Sequence, residues 1–311
     1  MLLDPALQTL FDKMPELASY PIWDKSPAEA RRDFKQFCQF AEPKGVAIGK
    51  SEDIKAGETP IRSYTPVAAG GGALPAIVYF HGGGFVMGDL DCYDALCRTL
   101  ANESGCRVMS VDYRLAPEHK FPAAIEDSFI ALKWVEENAP DLFIDPNRLA
   151  VAGDSAGGNI AAVVTHLAKA NKGTPEIAFQ LLIYPATRLG AVAGARSTST
   201  GYFLDAKAIE RLHSFYIPNG AKPDNPGLSP LEAKDFSGLP PAYIVTAGFD
   251  PLRDDGIAYA EKLKKAGVPV MQVDYPSMIH GFFSMQGLIP LSNQAIAAAA
   301  HAVKKALDEA G

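Results

Sequence analysis

Cationic clusters, paired cysteines and long apolar runs are what this 311-residue chain lacks. Its 29 Lys and Arg are outnumbered by 36 Asp and Glu, and no basic run concentrates them. Phosphate binding needs clustered cations, so nucleic acid is not expected as a partner. No apolar stretch approaches the ~20 residues of a spanning helix, so no membrane span is expected. The opening MLLDPALQTLFDKMPELASY has no basic start, and Asp4 breaks its apolar one, so no signal peptide is expected. Cys38, Cys92, Cys97 and Cys106 form no CxxC pair and flank no histidine at zinc spacing. The expectation is reduced thiols in a cytoplasmic protein. HExxH is absent, so a zinc hydrolase has no support, and no metal site is assigned. The stretch GVAIGKS at 45–51 has three residues between its glycines where a phosphate loop has four, and it reads as a turn at a strand edge.

What is present is an ordinary globular composition, 48% apolar and 21% charged, in a chain long enough for a large core. Apolar, β-branched runs occur at 76–80, 107–113, 149–152, 177–184, 242–247 and 268–275. Helical patterns at 92–104, 123–139, 157–169 and 256–266 separate most of them, and 293–311 reads as a terminal amphipathic helix. Strands apolar throughout, alternating with helices, predict an α/β fold with a parallel sheet covered on both faces. The segment 46–64 adds antiparallel edge strands. Two segments break the rhythm. Residues 1–45 are helical without strands, and 186–225 hold an irregular Gly/Ser/Thr linker (191–200), a helix (205–216) and a Pro-rich exit. Helical insertions of this kind commonly lie over the carboxyl ends of the strands, and a lid is expected here.

The strongest chemical signal is Gly153-Asp154-Ser155-Ala156-Gly157, a G-x-S-x-G set between a strand and a helix. That context predicts a nucleophile elbow, a sharp turn that exposes a strained serine. Its glycines let strand and helix approach closely. His81-Gly82-Gly83-Gly84-Phe85 follows the first parallel strand. Glycines in a row expose backbone N–H groups, which acyl transfer needs where negative charge develops on oxygen. Gly83 and Gly84 are assigned to that oxyanion hole, with the N–H of Ala156 as a third donor. The nucleophile needs a base and the base a carboxylate, in the chain order Ser, Asp/Glu, His. Of the histidines after Ser155, His166, His213 and His301 fall in helices, while His280 follows a strand at the carboxyl edge of the sheet, where the site must lie. Asp250 ends the strand at 242–247 and is the chosen carboxylate. Asp254 and Asp255 read as the acidic first turn of a helix, and Asp274 falls within a strand. No Ser-x-x-Lys occurs, which removes the β-lactamase-like esterases.

These blocks, HGGGF (81–85), DYRLAPEHKFPAA (112–124), GDSAGGN (153–159), GFDPLRDDG (248–256) and HGF (280–282), resemble the hormone-sensitive-lipase family of α/β-hydrolases. Within it they are similar to bacterial carboxylesterases with the GDSAG form of the elbow. The resemblance implies an α/β-hydrolase fold, with a mostly parallel central sheet of about eight strands flanked by helices. It also implies a helical cap built from residues 1–45 and 186–225 around a core of 46–185 and 226–311. It further implies esterase activity through Ser155, His280 and Asp250, and a bracing role for the Asp, Arg, Glu and His of 112–124 beside the oxyanion glycines. Asp255 stands where the family usually has Glu, which puts local support of the acidic loop in question but not the triad.

The expected reaction is hydrolysis of neutral esters with short to medium acyl chains, through an acyl-enzyme and without a cofactor. Phe85, Tyr184, Phe203, Leu204, Leu252, Ile279 and Phe282 flank the motifs or lie in the lid and are assigned to an apolar substrate site. The alternatives are an amidase or deacetylase using the same triad, and a non-catalytic small-molecule-binding protein on this fold. Such binding proteins lose the catalytic histidine, and His280 is retained. The sequence leaves a homodimer open.

Overall fold

The computed structural model describes residues 2–18, 22–190 and 202–311. Eight strands form one sheet: β1 (Lys50–Ala56), β2 (Thr59–Thr65), β3 (Leu74–Phe80), β4 (Arg107–Val111), β5 (Ile144–Asp154), β6 (Phe179–Ile183), β7 (Ala242–Phe249) and β8 (Val270–Ile279). Their spatial order is β1-β2-β4-β3-β5-β6-β7-β8. Strands β1 and β2 are antiparallel, and β3 to β8 are parallel to one another. The α/β expectation, the buried parallel strands and the antiparallel edge at 46–64 agree with this arrangement.

The pleat sends alternate side chains to opposite faces. On β3, Ala76, Val78 and Phe80 join one apolar cluster while Ile77 and Tyr79 join the other. On β5, Leu149 and Val151 face one way and Ala150 and Ala152 the other. Helices α4 (Ala123–Glu137), α5 (Ala156–Ala170) and α7 (Arg253–Lys265) cover the first face. Helices α3 (Asp94–Ser104) and α8 (Pro290–Ala310) cover the second. A strand buried on both faces has no polar side to show, which is why these runs read as continuously apolar.

The last strand is longer than its sequence pattern. The apolar run stops at Tyr275, but β8 continues to Ile279, past Pro276. A register shift between Ala247 and Phe249 lets Phe249 pair with Ile279. Gly248 permits this irregularity, since a Cβ there would lie 2.1 Å from the Pro276 carbonyl oxygen. Proline is tolerated because β8 is an edge strand. The extension brings residue 280 to the carboxyl end of the sheet.

Helices α1 (Pro5–Lys13) and α2 (Pro27–Ala41) precede the sheet, and α6 (Ala206–Tyr216) lies between β6 and β7. Ser26 and Glu29 close a reciprocal capping box at the start of α2. Asp205 caps α6 through the N–H of Ala208. The irregular linker expected at 191–200 lies outside the described residues. No helix among the described residues is long and apolar enough to cross a membrane.

Candidate active site

The strand–turn–helix at 153–157 is a tight elbow. A Cβ on Gly157 would fall 1.9 Å from the Phe80 carbonyl oxygen, and one on Gly153 would fall 2.3 Å from the Gly157 carbonyl carbon. Only glycine allows β3, β5 and α5 to meet this closely. Ser155 adopts φ 54° and ψ −114°, a region that costs non-glycine residues about 1–3 kcal/mol. The N–H of Ser155 donates to Ile183 (2.9 Å), and its carbonyl accepts from Ala186 (3.1 Å) and Asn159 (3.0 Å). The Asn159 amide also donates to the carbonyls of Ala186 (2.7 Å) and Leu228 (2.8 Å). The elbow is held against the segments after β6 at several points at once, which sustains the strain.

The hydroxyl of Ser155 lies 2.8 Å from Nε2 of His280. On the far side of that ring, Nδ1 lies 2.7 Å from a carboxylate oxygen of Asp250. Asp250 is fully buried, and its other oxygen accepts the Leu252 N–H at 2.7 Å. A carboxylate can only accept, so Nδ1 carries the proton and Nε2 presents its lone pair to the serine. Such an arrangement can take the hydroxyl proton as the oxygen attacks. The structure brings Ser155, Asp250 and His280 together across 125 residues of chain. The competing acids are engaged elsewhere: Asp274 with Arg253 (3.0 Å) and Thr246 (2.7 Å), Asp255 with Arg188 (3.4 Å), and Asp254 with Arg253 (3.9 Å).

Gly83 (φ 108°) and Gly84 (φ 64°) form the turn after β3. A Cβ on Gly83 would strike the Met87 carbonyl oxygen at 2.2 Å. No acceptor among the described residues takes the N–H groups of Gly83, Gly84 or Ala156. All three residues line the cavity that holds Ser155 and His280.

That cavity has a volume of about 100 Å³ and a mainly apolar wall. Of the residues assigned to it from sequence, Phe85, Phe203, Leu204 and Leu252 line it. Tyr184, Ile279 and Phe282 do not, and their assignment is corrected. They belong to the apolar layer beneath the sheet edge and are at most 1% exposed. Tyr184 lies 4.7 Å from the His280 ring and packs against the imidazole from behind. Sequence neighbours of a motif alternate between cavity and core, so proximity along the chain misled for these three. The wall missed by sequence reasoning comes from Phe34 and Phe37 of α2 and Ile209, Leu212 and His213 of α6. Their i, i+3 and i, i+4 spacing was the available signal.

Two of the side chains expected to brace the loop 112–124 tie it to neighbouring helices. Arg114 binds Asp127 on α4 with bonds of 2.7–3.0 Å, and Glu118 pairs with Arg31 of α2. Arg31 in turn donates to the carbonyls of Val86 and Ala116 at 2.8 Å, which fastens the loop beside the glycine turn. Direct contacts to the turn come from the Tyr113 hydroxyl, which donates to the His81 carbonyl (2.6 Å), and the Ala116 N–H, which donates to that of Phe85 (2.8 Å).

Asp154, inside the elbow, is buried and accepts from the Tyr79 hydroxyl (2.7 Å), the Gly82 N–H (2.8 Å) and the Tyr93 hydroxyl (3.2 Å). Burial pushes its carboxyl up to about 6, against the pull of those donors. Burial lowers His81 to about 4, so that ring is neutral at neutral pH.

A family model for the alpha/beta hydrolase fold matches residues 77–284. Esterase LipI of Mycobacterium tuberculosis is 40% identical over 296 residues, which cover 94% of this chain and 92% of that protein. Carboxylesterase NlhH of the same bacterium is 40% identical over 319 residues, covering 98% and 96%. An ester hydrolase from the Lake Arreo metagenome, solved with a bipyridine phosphonate derivative, superimposes with a TM-score of 0.91 at 38% identity, covering 98% of this chain and 99% of that one. The fold, the ordered motifs and these relatives agree: the chain belongs to the α/β-hydrolase family and is a carboxylic ester hydrolase of its hormone-sensitive-lipase-like branch.

Proposed function

We propose that Ser155, His280 and Asp250 carry the ester hydrolysis and that its substrates are neutral esters with short to medium acyl chains. His280 takes the hydroxyl proton as Ser155 attacks the carbonyl. Asp250 holds the imidazole tautomer and stabilises the imidazolium. The N–H groups of Gly83, Gly84 and Ala156 receive the oxyanion, each worth ~10²–10³ in rate. The alcohol leaves with the proton from His280, and water releases the acyl group by the same route. The observation that carries this reading is the unbroken line of contacts from the Ser155 hydroxyl to His280 (2.8 Å) and on to Asp250 (2.7 Å).

The small, apolar cavity supports the substrate class, having no Lys or Arg among the described residues of its wall to favour a strongly anionic ester. In this reading residues 1–45 and 186–225 act as one cap over a core made of 46–185 and 226–311. Support comes from the cavity wall, to which α2 and α6 both contribute. The four cysteines are buried and free, which favours a reducing, cytoplasmic compartment.

The test is a series of nitrophenyl esters of increasing acyl length, run on the wild type and on Ser155→Ala. Loss of turnover in the variant and a peak at short to medium chains are expected. Unchanged turnover in the variant refutes the triad, and an optimum at long chains refutes the substrate class. Faster hydrolysis of matched amides would make the protein an amidase.

A further inference from the structure

None of the four cysteines belongs to the triad, and among the described residues none lines the cavity. Their surroundings differ. Cys97, fully buried on α3, is hydrogen-bonded to Ser110. Cys106, fully buried before β4, meets the Ser104 carbonyl at 3.7 Å. Each of these thiols has an oxygen partner inside the core. Cys38 and Cys92 have one another: the two thiols share a hydrogen bond. One belongs to α2 and the other to the turn that precedes α3.

The packing of α2 places them together independently. Lys35 lies one helical turn before Cys38 on the same face. Its ammonium reaches Asp89 (2.7 Å) and Asp91 (2.8 Å), and the N–H of Cys92 donates to Asp89 (2.8 Å). These bonds seat that face of α2 on the turn. Both cysteines join one apolar cluster and are only 2% and 7% exposed. The contact borders the catalytic cavity, because Phe34 and Phe37 of α2 line it, as does Tyr93, the neighbour of Cys92.

We propose that Cys38 and Cys92 are a peroxide-oxidised pair whose disulfide staples α2 to the core and slows the entry of larger esters. This needs only that the protein hydrolyses esters, not that Ser155 is the nucleophile.

With α2 seated, the pair is protected. The hydrogen bond to Cys92 and burial push the Cys38 pKa well above its usual value, and the thiolate is the reactive form. The ion pairs that fasten α2 here, Arg31 with Glu118 and Lys35 with Asp89 and Asp91, are half-exposed, so local opening lifts this helix more readily than the core helices. Once exposed, one thiolate attacks an oxygen of hydrogen peroxide. The O–O bond breaks, hydroxide leaves and takes up that thiol's proton as water, and a sulfenic acid remains. When α2 settles back, the second thiol attacks the sulfenic sulfur. The S–S bond forms, the S–O bond breaks, and the hydroxyl leaves as water with the second proton. Two thiols lose two electrons and two protons, and the peroxide becomes two waters. Cys92 sits in a turn rather than a helix or strand, where the backbone can adjust to the geometry a disulfide requires.

The test treats the wild type and Cys38→Ala with dilute hydrogen peroxide, with and without later dithiothreitol. In the denatured, oxidised wild type, two of the four thiols should remain titratable. A chymotryptic map, which cuts at Tyr93 between Cys92 and Cys97, should show Cys38 joined to Cys92. The thermal midpoint should rise by ~5 °C, since the bridge closes a long loop of chain. kcat/KM for the larger esters should fall ~5–10-fold relative to the smallest, as a restrained lid would impose. Dithiothreitol should reverse all of these changes, and Cys38→Ala should show none of them.

Four free thiols after peroxide, a bridge or a sulfinic acid at other cysteines, or a Cys38–Cys92 bridge that leaves ester selectivity unchanged each overturns the proposal. So does the same inhibition in Cys38→Ala. If Cys38→Ala does not fold, Cys92→Ala takes its place, and the thiol count and peptide map of the wild type need no variant.

Discussion

Beneath the cavity, polar groups are sunk in the core, and the carboxylates of Asp154 and Asp250 are bonded to neighbours. Above it, apolar side chains of α2 and α6 face the same space, and the polar contacts are moved to the rim. Asp250 and Asp154 are both buried below, each with hydrogen-bond donors in place. On the rim, Arg31 donates to the carbonyls of Val86 and Ala116 at 2.8 Å and pairs with Glu118, while Lys35 reaches Asp89 (2.7 Å) and Asp91 (2.8 Å). The floor spends stability on strain and buried charge in order to hold donors and acceptors still. The roof is attached by half-exposed ion pairs and shapes the space by volume. Chemistry should therefore respond to floor mutations and substrate choice to roof mutations.

The largest expected effect is on the floor. Asp250→Asn leaves the imidazole in place but reverses its preferred tautomer, so kcat should fall ~10³–10⁴-fold. Steady-state kinetics check this, and a loss below tenfold would mean that the carboxylate only packs. Leu212→Ala should separate roof from floor. The Leu212 methyls press on Gly84, where a Cβ would lie 2.5 Å from one of them. Truncation enlarges the cavity, and the ratio of kcat/KM for longer over shorter acyl esters should rise ~10-fold, the scale of a methylene or two in an apolar pocket. An equal fall for every ester would show that Leu212 serves the chemistry instead.

Arg31→Ala removes two bonds to backbone carbonyls and one ion pair from a side chain that is 31% exposed. After allowance for solvent screening, the expected loss is about 1–2 kcal/mol, read from the urea midpoint. An unchanged midpoint would mean that the roof is held by apolar packing alone. The smallest effect is a pH dependence. Asp154 has its folded-state carboxyl raised to about 6, above the usual 3.8, by burial. Between those values the folded protein holds a proton that the unfolded chain has released, so this group's contribution falls as pH rises and levels off above 6. Asp154→Asn removes the effect. The variant's stability relative to wild type should rise across that window, and a flat difference from pH 4 to 7 would contradict the buried, raised carboxyl.

The same division explains what could be read from the sequence. The floor is made of short contiguous motifs whose glycines are demanded by backbone contacts of about 2 Å, as at Gly83 and Gly157. Constraints that strict leave a local pattern, and the parallel strands, the elbow and the glycine turn were legible for that reason. His280 was legible by its place after a strand, although the strand proved four residues longer through the irregularity at Gly248. The roof has no such grammar. Any apolar side chain of suitable volume serves, so Phe34 and Ile209 look like core residues until the fold shows what they face. Tyr184, Ile279 and Phe282 erred in the opposite direction, lying next to the machinery in sequence and behind it in space. The Asp154 contact to the glycine turn was hidden because it joins residues 72 positions apart through the backbone N–H of Gly82, which carries no residue identity.

The claim on which the rest depends is that the Ser155 hydroxyl is the nucleophile and that His280 activates it. A fluorophosphonate probe, followed by proteolysis and mass spectrometry, measures this most directly. The account predicts a single phosphonylated peptide carrying the label on Ser155, with labelling slowed at least a hundredfold in His280→Ala. Labelling at another residue, or an undiminished rate in the His280 variant, would contradict it.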